Sequence, residues 1–347
     1  MADARPFSFT RIWAKVGSGF DGILGQAGVA PHGVETDLPP DLRAELIERL
    51  RPDLARLEEM RLRVLDETDR RAVMLAPAAA AAVFVGVLAS GFGLFSGLIF
   101  GGIGFFVGGF VAMGNRAEAY RQAVKDHFGK QTAGMLSGFT YEASPTPPLD
   151  RINGWRLFPD VTRADVQNRL GGSRDGRRFA ISDLMIEFYR VVKAGREGTV
   201  AFMAVAVEFE TTARIATPIV VTDRMARVSY RDAPAAKHGL VAVETGDAAF
   251  DEHYLVFAGD REAAQAFLTA ERRQALLALR EASTEGCPML SLTPGDATVL
   301  FPLQRIAFEF RVKPYWVPID ADEVLGLFAS DLAQRNRVLN AALALPL

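Results

Sequence analysis

The sequence predicts an α+β protein with two parts: a two-span transmembrane helical hairpin with a helical cytoplasmic stalk, followed by a mainly antiparallel α+β soluble domain. Three observations carry that reading. Ala72 to Gly114 contains no charged residue and is long enough for two spans of about 20 apolar residues each. Charged helical patterns with apolar stripes flank it on both sides. Beyond a proline-rich SPTPPL segment, short alternating runs separated by turn residues dominate, with few helices between them, which favours an antiparallel sheet over a doubly wound one.

Within the apolar run, Ser90-Gly91-Phe92-Gly93 supplies the reversal, because glycine permits the positive φ of a tight turn. Arg70 and Arg71 precede the first span, and Arg116, Arg121, Lys125 and Lys130 follow the second. The positive-inside bias then places both flanks, and so both termini, in the cytoplasm, with the chain in the cytoplasmic (inner) membrane. Gly93, Gly97, Gly101, Gly104 and Gly108 fall along one helical face. In the first span Ala72, Ala76, Ala79, Ala82, Gly86 and Ala89 form a matching small-residue stripe. Lipid gives helices no hydrophobic reason to associate, so such stripes serve close backbone packing. They predict packing within one hairpin, or alternatively a glycine-zipper oligomer or pore. No Asp, Glu, Lys, Arg or His interrupts the spans, which argues against a transport path built on ionisable groups.

The rest of the chain divides as follows. Residues 1–40 form an irregular N-terminal segment, in which Phe9, Ile12, Trp13 and Val16 share a helical face suited either to a membrane interface or to a protein core. GSGFDG at 17–22 matches a dinucleotide-site pattern, but Gly25 and Pro31 leave no helix behind it and no βαβ unit surrounds it. Residues 41–71 read as a cytoplasmic helix with Leu42, Leu46, Leu50, Leu54 and Leu57 on one side and a kink at Pro52. Residues 115–130 read as a second, with Ala117, Tyr120, Val124 and Phe128 on its stripe and Gly129 as its stop. Residues 131–149 read as a linker, and 150–347 as the soluble domain.

In that domain, Arg163 to Leu170 reads as a short helix stopped by Gly171-Gly172. Phe179–Val192 and Thr199–Phe209 read as strands joined at KAGREG, with alternation broken by a bulge near Ser182-Asp183. Further strands are expected at Pro218–Val221, Leu240–Glu244, His253–Phe257, Met289–Leu292, Thr298–Phe301 and Ile306–Val312. Helical pattern fills Asp260–Glu281 with a break near Thr269, and a last amphipathic helix opens at Asp320.

The stretch FDEHYLVFAGDREAAQAFLTAERRQALLAL, Phe250 to Leu279, resembles the signature of a bacterial membrane family catalogued as domain of unknown function 3137. Phe250, Tyr254, Val256, Phe257, Asp260, Leu268 and Thr269 carry the resemblance, together with the order of helix, two spans, linker and soluble domain. Ala263 and Gln265 depart from it, standing where that family tends to have a glutamate and an arginine. The resemblance implies a membrane location and no known activity.

A net charge of −3 over 347 residues gives no reason to expect nucleic acid. One cysteine, Cys287, excludes an internal disulfide framework. His32, His127, His238 and His253 show no metal-ligand spacing, so neither a metal nor a cofactor is expected. There is no P-loop and no nucleophile elbow. Asp260 reads as a helix N-cap and Cys287 as a structural thiol. Arg169, Arg174, Arg177 and Arg178 crowd what reads as a glycine-rich loop, able to hold anionic lipid headgroups or an acidic partner. The sequence therefore predicts a membrane-anchored cytoplasmic binding or scaffold protein. Its partners are membrane lipid and either another protein or further copies of itself. A membrane-localised enzyme with an unrecognised site is one alternative, and a glycine-zipper pore is the other.

Overall fold

The computed structural model describes residues 40–135, 139–192, 196–283, 285–303, 318–319 and 333–347. The expected N-terminal segment, the glycine pattern at 17–22, the strand at 306–312 and the start of the last helix lie outside them. The chain forms two compact units, one of residues 1–127 and 310–330, the other of residues 128–309 and 331–347.

The first unit is built on two long helices. Helix α1 spans Pro40–Ala89 and helix α2 spans Leu94–Met135. Gly91, at φ +82, closes α1: its N–H bonds the carbonyl of Leu88, and the Phe92 N–H bonds that of Val87. These two bonds form a Schellman motif, which satisfies carbonyls that the helix end would leave orphaned. The reversal therefore falls where the sequence places it.

Along the seam the helices nearly touch. A Cβ built on Gly104 would sit 2.9 Å from the Ala79 carbonyl oxygen, and one on Gly108 would sit 2.8 Å from that of Leu75. Gly97 and Gly101 face Phe84, with Ala80 also beside Gly101. Gly93 lies before the helix and meets nothing within 4 Å. The alanine stripe of α1 holds only partway: Ala72 and Ala76 are buried, whereas Ala82, Gly86 and Ala89 are exposed. Nearer the turn Val83 and Phe84 take over, because Phe84 fills the groove that the glycines leave.

In the charged ends of these helices Leu54, Leu57 and Leu65 are buried, as are Tyr120 and Val124. Arg61 is fully buried there and donates from Nε and Nη2 to the Glu58 carboxylate at 2.7 Å in each case. Burial pushes the Tyr120 hydroxyl up to about 12, against the lowering effect of the Arg61 charge. Pro52 lies inside α1, and Gly129 does not stop α2. A glycine weakens a helix by about 1 kcal/mol relative to alanine, which is too little to end one without a turn behind it.

Among the described residues the second unit is a nine-stranded, wholly antiparallel sheet. Its strands are β1 (Thr140–Glu142), β2 (Val161–Arg174), β3 (Arg177–Val192), β4 (Arg196–Glu210), β5 (Ile219–Asp223), β6 (Val241–Val243), β7 (Tyr254–Ala258), β8 (Met289–Thr293) and β9 (Asp296–Leu303). They lie in the order β1-β2-β3-β4-β9-β8-β5-β7-β6. Short helices α3 (Leu149–Gly154), α4 (Val228–Arg231), α5 (Ala233–His238), α6 (Ala248–Asp251), α7 (Arg261–Phe267) and α8 (Ala270–Ala282) connect them, and residues 333–343 are helical. Helices α4, α5 and α6 were not legible as periodic patterns, being too short to show a period.

Alternation along the strands builds a core on each face. Ile181, Val205, Val207, Val221, Val256 and Val299 turn to one face, where α8 and the terminal helix supply Leu276, Leu279, Val338 and Leu339. Leu184, Ile186, Phe188, Ala206, Val220 and Leu300 turn to the other, beneath Ile152, Trp155, Leu157 and Phe158. Strand β5 is buried along its whole length, as a central strand covered on both faces must be.

Two expectations are corrected here. Arg163 to Leu170 is not a helix but the middle of β2. Residues 131–149 are not simply a linker, since α2 continues to Met135 and β1 pairs Thr140 with Gly171 and Glu142 with Arg169. Phe139 packs against the bare Cα of Gly172, where a Cβ would sit 2.5 Å from its ring.

The stretch Phe250–Leu279 has packing and capping roles. Phe250 and Tyr254 stack with ring centroids 5.0 Å apart, and the Tyr254 hydroxyl donates to the Leu276 carbonyl at 3.1 Å. Asp260 caps α7, its carboxylate accepting from the N–H groups of Glu262 and Ala263, and Thr269 caps α8.

Candidate functional site: a pocket beside the beta bulge

Near its middle, strand β2 carries one residue too many. Gln167 pairs with Asp183 and Leu170 with Ile181, so Asn168 and Arg169 together stand opposite Ser182. The bulge thus lies on β2, and Ser182-Asp183 is the regular strand facing it. Its consequence is a change of phase. Val166 belongs to one core and Leu170 to the other, although an even spacing in a regular strand would keep them together. Asn168 adopts φ +52, a left-handed conformation that asparagine tolerates better than most residues.

The bulge sends Asn168 and Arg169 to opposite faces. The Asn168 amide donates to Asp183 Oδ2 at 2.8 Å and accepts from the Tyr141 hydroxyl at 3.0 Å. Arg335, from the terminal helix, joins the same buried cluster, with Nη1 2.8 Å from the Asn168 carbonyl oxygen and Nη2 3.4 Å from Asp183 Oδ2. Arg169 instead lines a pocket of about 210 Å³ on the other face.

The floor of this pocket is apolar, made by Ile152, Trp155, Val166, Leu184 and Ala206, and Arg151, Arg169 and Glu208 stand at its polar side. The wall carrying Trp155 is held firmly. Asn153 Oδ1 accepts from the Val161 N–H at 2.8 Å, the buried Ser291 hydroxyl donates to the Trp155 carbonyl at 2.8 Å, and Arg156 sits at φ +57. Of the three non-glycine residues with positive φ among the described residues, Asp175 belongs to the β2–β3 turn, while Arg156 and Asn168 each adjoin a residue that lines the pocket. Backbone strain of this kind persists only where the surroundings over-determine it.

Glu208 is buried on the same sheet face as Ala204 and Ala206, with Oε1 2.9 Å from Arg151 Nε. Burial raises its carboxyl above the ordinary glutamate value, and the Arg151 and Arg169 charges offset only part of that rise. A second, shallower depression adjoins the first. It shares Arg151, Arg169 and Glu208 and adds Arg178, Glu210 and Asp296.

Of the four arginines singled out in the sequence, Arg169 and Arg178 line the shallower depression together, while Arg174 and Arg177 turn to the terminal helix. All four lie on a tight hairpin turned at Asp175-Gly176, not on a glycine-rich loop, since Gly171 and Gly172 are strand residues. Arg174 bonds the Asn340 side chain, and Arg177 donates to the Leu343 carbonyl at 3.4 Å, so both reach the terminal helix. Arg178 pairs with Glu210. Arg169 lines the pocket and lies 3.6 Å from Glu142.

Arg151, Trp155 and Glu208 escaped the sequence reading. For Glu208 a signal was present: in AVAVEFE a carboxylate falls in phase with two core alanines. Arg151 and Trp155 carried none, because they stand in the stretch around the expected boundary. Elsewhere Cys287 is buried, its N–H donates to Asp223 Oδ2 at 3.0 Å, and burial raises its thiol. His238 bonds the Phe158 carbonyl and His127 lies 3.1 Å from Asp53. Asp251 ends α6, and its carboxylate accepts from the Thr245 hydroxyl. Among the described residues no group of His, Cys, Asp and Glu is placed to hold a metal ion.

Fold and pocket together define a class: a chain that joins a long apolar helix to an antiparallel α+β domain with a small, partly charged pocket. No family model matches the chain, and no curated protein matches it. Among solved structures it is similar to the crystal structure of the mycobacterial trehalose monomycolate transport factor A, TtfA. The TM-score is 0.34 and the identity 13%, over 62% of this chain and 94% of that one. At that level the likeness carries no inference about this chain.

Proposed function

We propose that the protein is a membrane-anchored binding module: residues 72–114 form a two-span hairpin in the cytoplasmic membrane, both termini are cytoplasmic, and the α+β domain binds its ligand at the membrane surface. One observation supports this most. Among the described residues, all large apolar side chains that are exposed fall within 73–111, except Leu149, Met225, Val228 and Val241. Met74, Phe95, Leu98 and Val111 are each at least 60% exposed. Patches of this size are rare on monomers in water, and lipid is the solvent in which they cost nothing. One helix, within 51–89, is long and apolar enough to cross a membrane, and the apolar part of the next, Leu94–Gly109, is shorter. The intrachain seam at Gly97 to Gly108 favours a self-contained hairpin over a glycine-zipper assembly, since α1 already fills the face that an assembly would use.

The test is fractionation with topology reporters. Full-length protein should stay in the membrane pellet through alkaline carbonate, and deletion of 72–114 should release it. Reporters at Met1 and Leu347 should both read cytoplasmic. Extraction of the full chain by carbonate, or reporters on opposite sides, would overturn the reading.

A further inference from the structure

We infer that the pocket between α3 and strands β2 to β4 binds a small amphiphile, with a single anionic head at Arg169 and a short apolar body against Trp155. The inference deepens the binding-module reading and rests on it.

Shape and lining set the body of the ligand. At about 210 Å³ the pocket is smaller than the ~300 Å³ at which drug-sized sites begin. It suits a short chain or a single ring. Trp155, Val166, Leu184 and Ala206 give it an apolar lining, interrupted by the buried Ser182.

Charge sets the head. Glu208 and Arg151 answer one another at 2.9 Å, so a cationic ligand would have to displace Arg151 from a buried carboxylate. Arg169 is the second cation at the pocket, and Glu208 feels its charge less than that of Arg151. The Glu142 partner of Arg169 is 3.6 Å away with a side chain 58% exposed, and pairs of that kind contribute little. An anion at Arg169 therefore meets a positive charge that the protein itself compensates only weakly.

The backbone supports a built site. In a regular β2, residue 169 would share a face with Leu170's neighbours on the opposite core. The bulge, at the cost of a left-handed Asn168, turns Arg169 to the pocket instead. Bulges commonly re-aim a side chain in this way. The left-handed Arg156, directly after Trp155, fixes the opposite wall.

Such a head and tail could come from a free short-chain acid or from an anionic lipid, and the experiment separates them. Full-length protein carrying Trp13→Phe and Trp316→Phe, in nanodiscs of phosphatidylcholine, leaves Trp155 as the reporter. Hexanoate and hexyl phosphate should each change its emission saturably, 1-hexanol at least tenfold more weakly, and hexylamine not at all. Arg169→Gln should reduce hexanoate to the level of hexanol without lowering the melting temperature, and Arg169→Lys should restore part of the preference. If phosphatidylglycerol nanodiscs reproduce the change and compete with hexanoate, the lipid is the source; if they leave hexanoate binding intact, a free acid is. Equal binding of hexanol and hexanoate, no saturable change with any probe, or a preference that survives Arg169→Gln would overturn the inference. Protein that stays membrane-bound through carbonate while failing these tests would sink the pocket assignment and leave the anchor standing.

Discussion

Asn168 Nδ2 donates to Asp183 Oδ2 at 2.8 Å across the bulge of β2, on the sheet face opposite the pocket. There it completes a buried cluster with Tyr141 and Arg335. On the other face the bulge leaves Arg169 toward the pocket. A carboxylate buried among Ile181, Val205 and their neighbours would be costly without such partners.

The first prediction follows from the conformation and the bond together. Asn168→Ala loses the amide and keeps a left-handed backbone that alanine resists, so it should lower unfolding stability by about 2–4 kcal/mol. Asn168→Gly loses the amide but accepts the backbone, and should cost about 1 kcal/mol less. Urea unfolding of the full chain in detergent measures both. Equal losses would show that the φ of Asn168 carries no strain.

The bulge also explains what could be read in advance. The strands Phe179–Val192 and His253–Phe257 were legible from their β-forming residues and turn boundaries, although the break expected near Ser182-Asp183 belongs to the bulge of β2 opposite. Asp260 was legible because capping residues signal locally. Arg163–Leu170 misled because Val166 and Leu170, four apart, mimic helical spacing. In fact they face opposite cores, with an inserted residue between them. The pocket was illegible for a related reason. Arg151, Arg169 and Glu208 come from a short helix and two strands, and only the pairing of β2, β3 and β4 brings them together.

A second prediction concerns Arg335, which is 6% exposed beside Asp183 at 4%. Arg335→Met removes a charge that compensates a buried carboxylate, a change that typically costs about 3–5 kcal/mol. Adding Asp183→Asn should recover part of that loss, because the remaining amide no longer carries an unpaired charge. A double mutant as unstable as the sum of the singles would show that the two residues act independently.

The third prediction is a pH dependence. Burial holds the Glu208 carboxyl above its ordinary value of 4.5 in the folded chain. The folded state therefore binds more protons than the unfolded state between that value and the raised one, and stability falls as pH rises through this window. Glu208→Gln is neutral throughout and keeps an oxygen toward Arg151. Its melting temperature should match the parent's below pH 4.5 and exceed it at pH 7. A variant less stable than the parent at pH 7 would mean that the Arg151 pair outweighs the cost of burial.

The last prediction concerns the hairpin seam, where close approach differs sharply between neighbouring glycines. A Cβ at Gly108 would lie 2.8 Å from the Leu75 carbonyl oxygen and 2.9 Å from the Ala79 Cβ, while one at Gly102 meets nothing within 4 Å. Backbone on the far side cannot move aside as a flexible side chain can, so Gly108→Leu has to push the helices apart. Gly101→Leu, with its nearest neighbours at 3.3 Å, should do the same to a lesser degree. Gly102→Leu only adds apolar surface on the exposed side. In membranes, the yield of inserted, protease-resistant protein should fall in the order Gly102→Leu, Gly101→Leu, Gly108→Leu, and it should do so at dilute expression, because the contact is within one chain. An assembly built on the same face would respond otherwise. If crosslinking shows a ladder of oligomers that disappears in Gly108→Leu while each hairpin keeps its protease resistance, the seam serves association between chains and the intrachain packing is not what holds the anchor together.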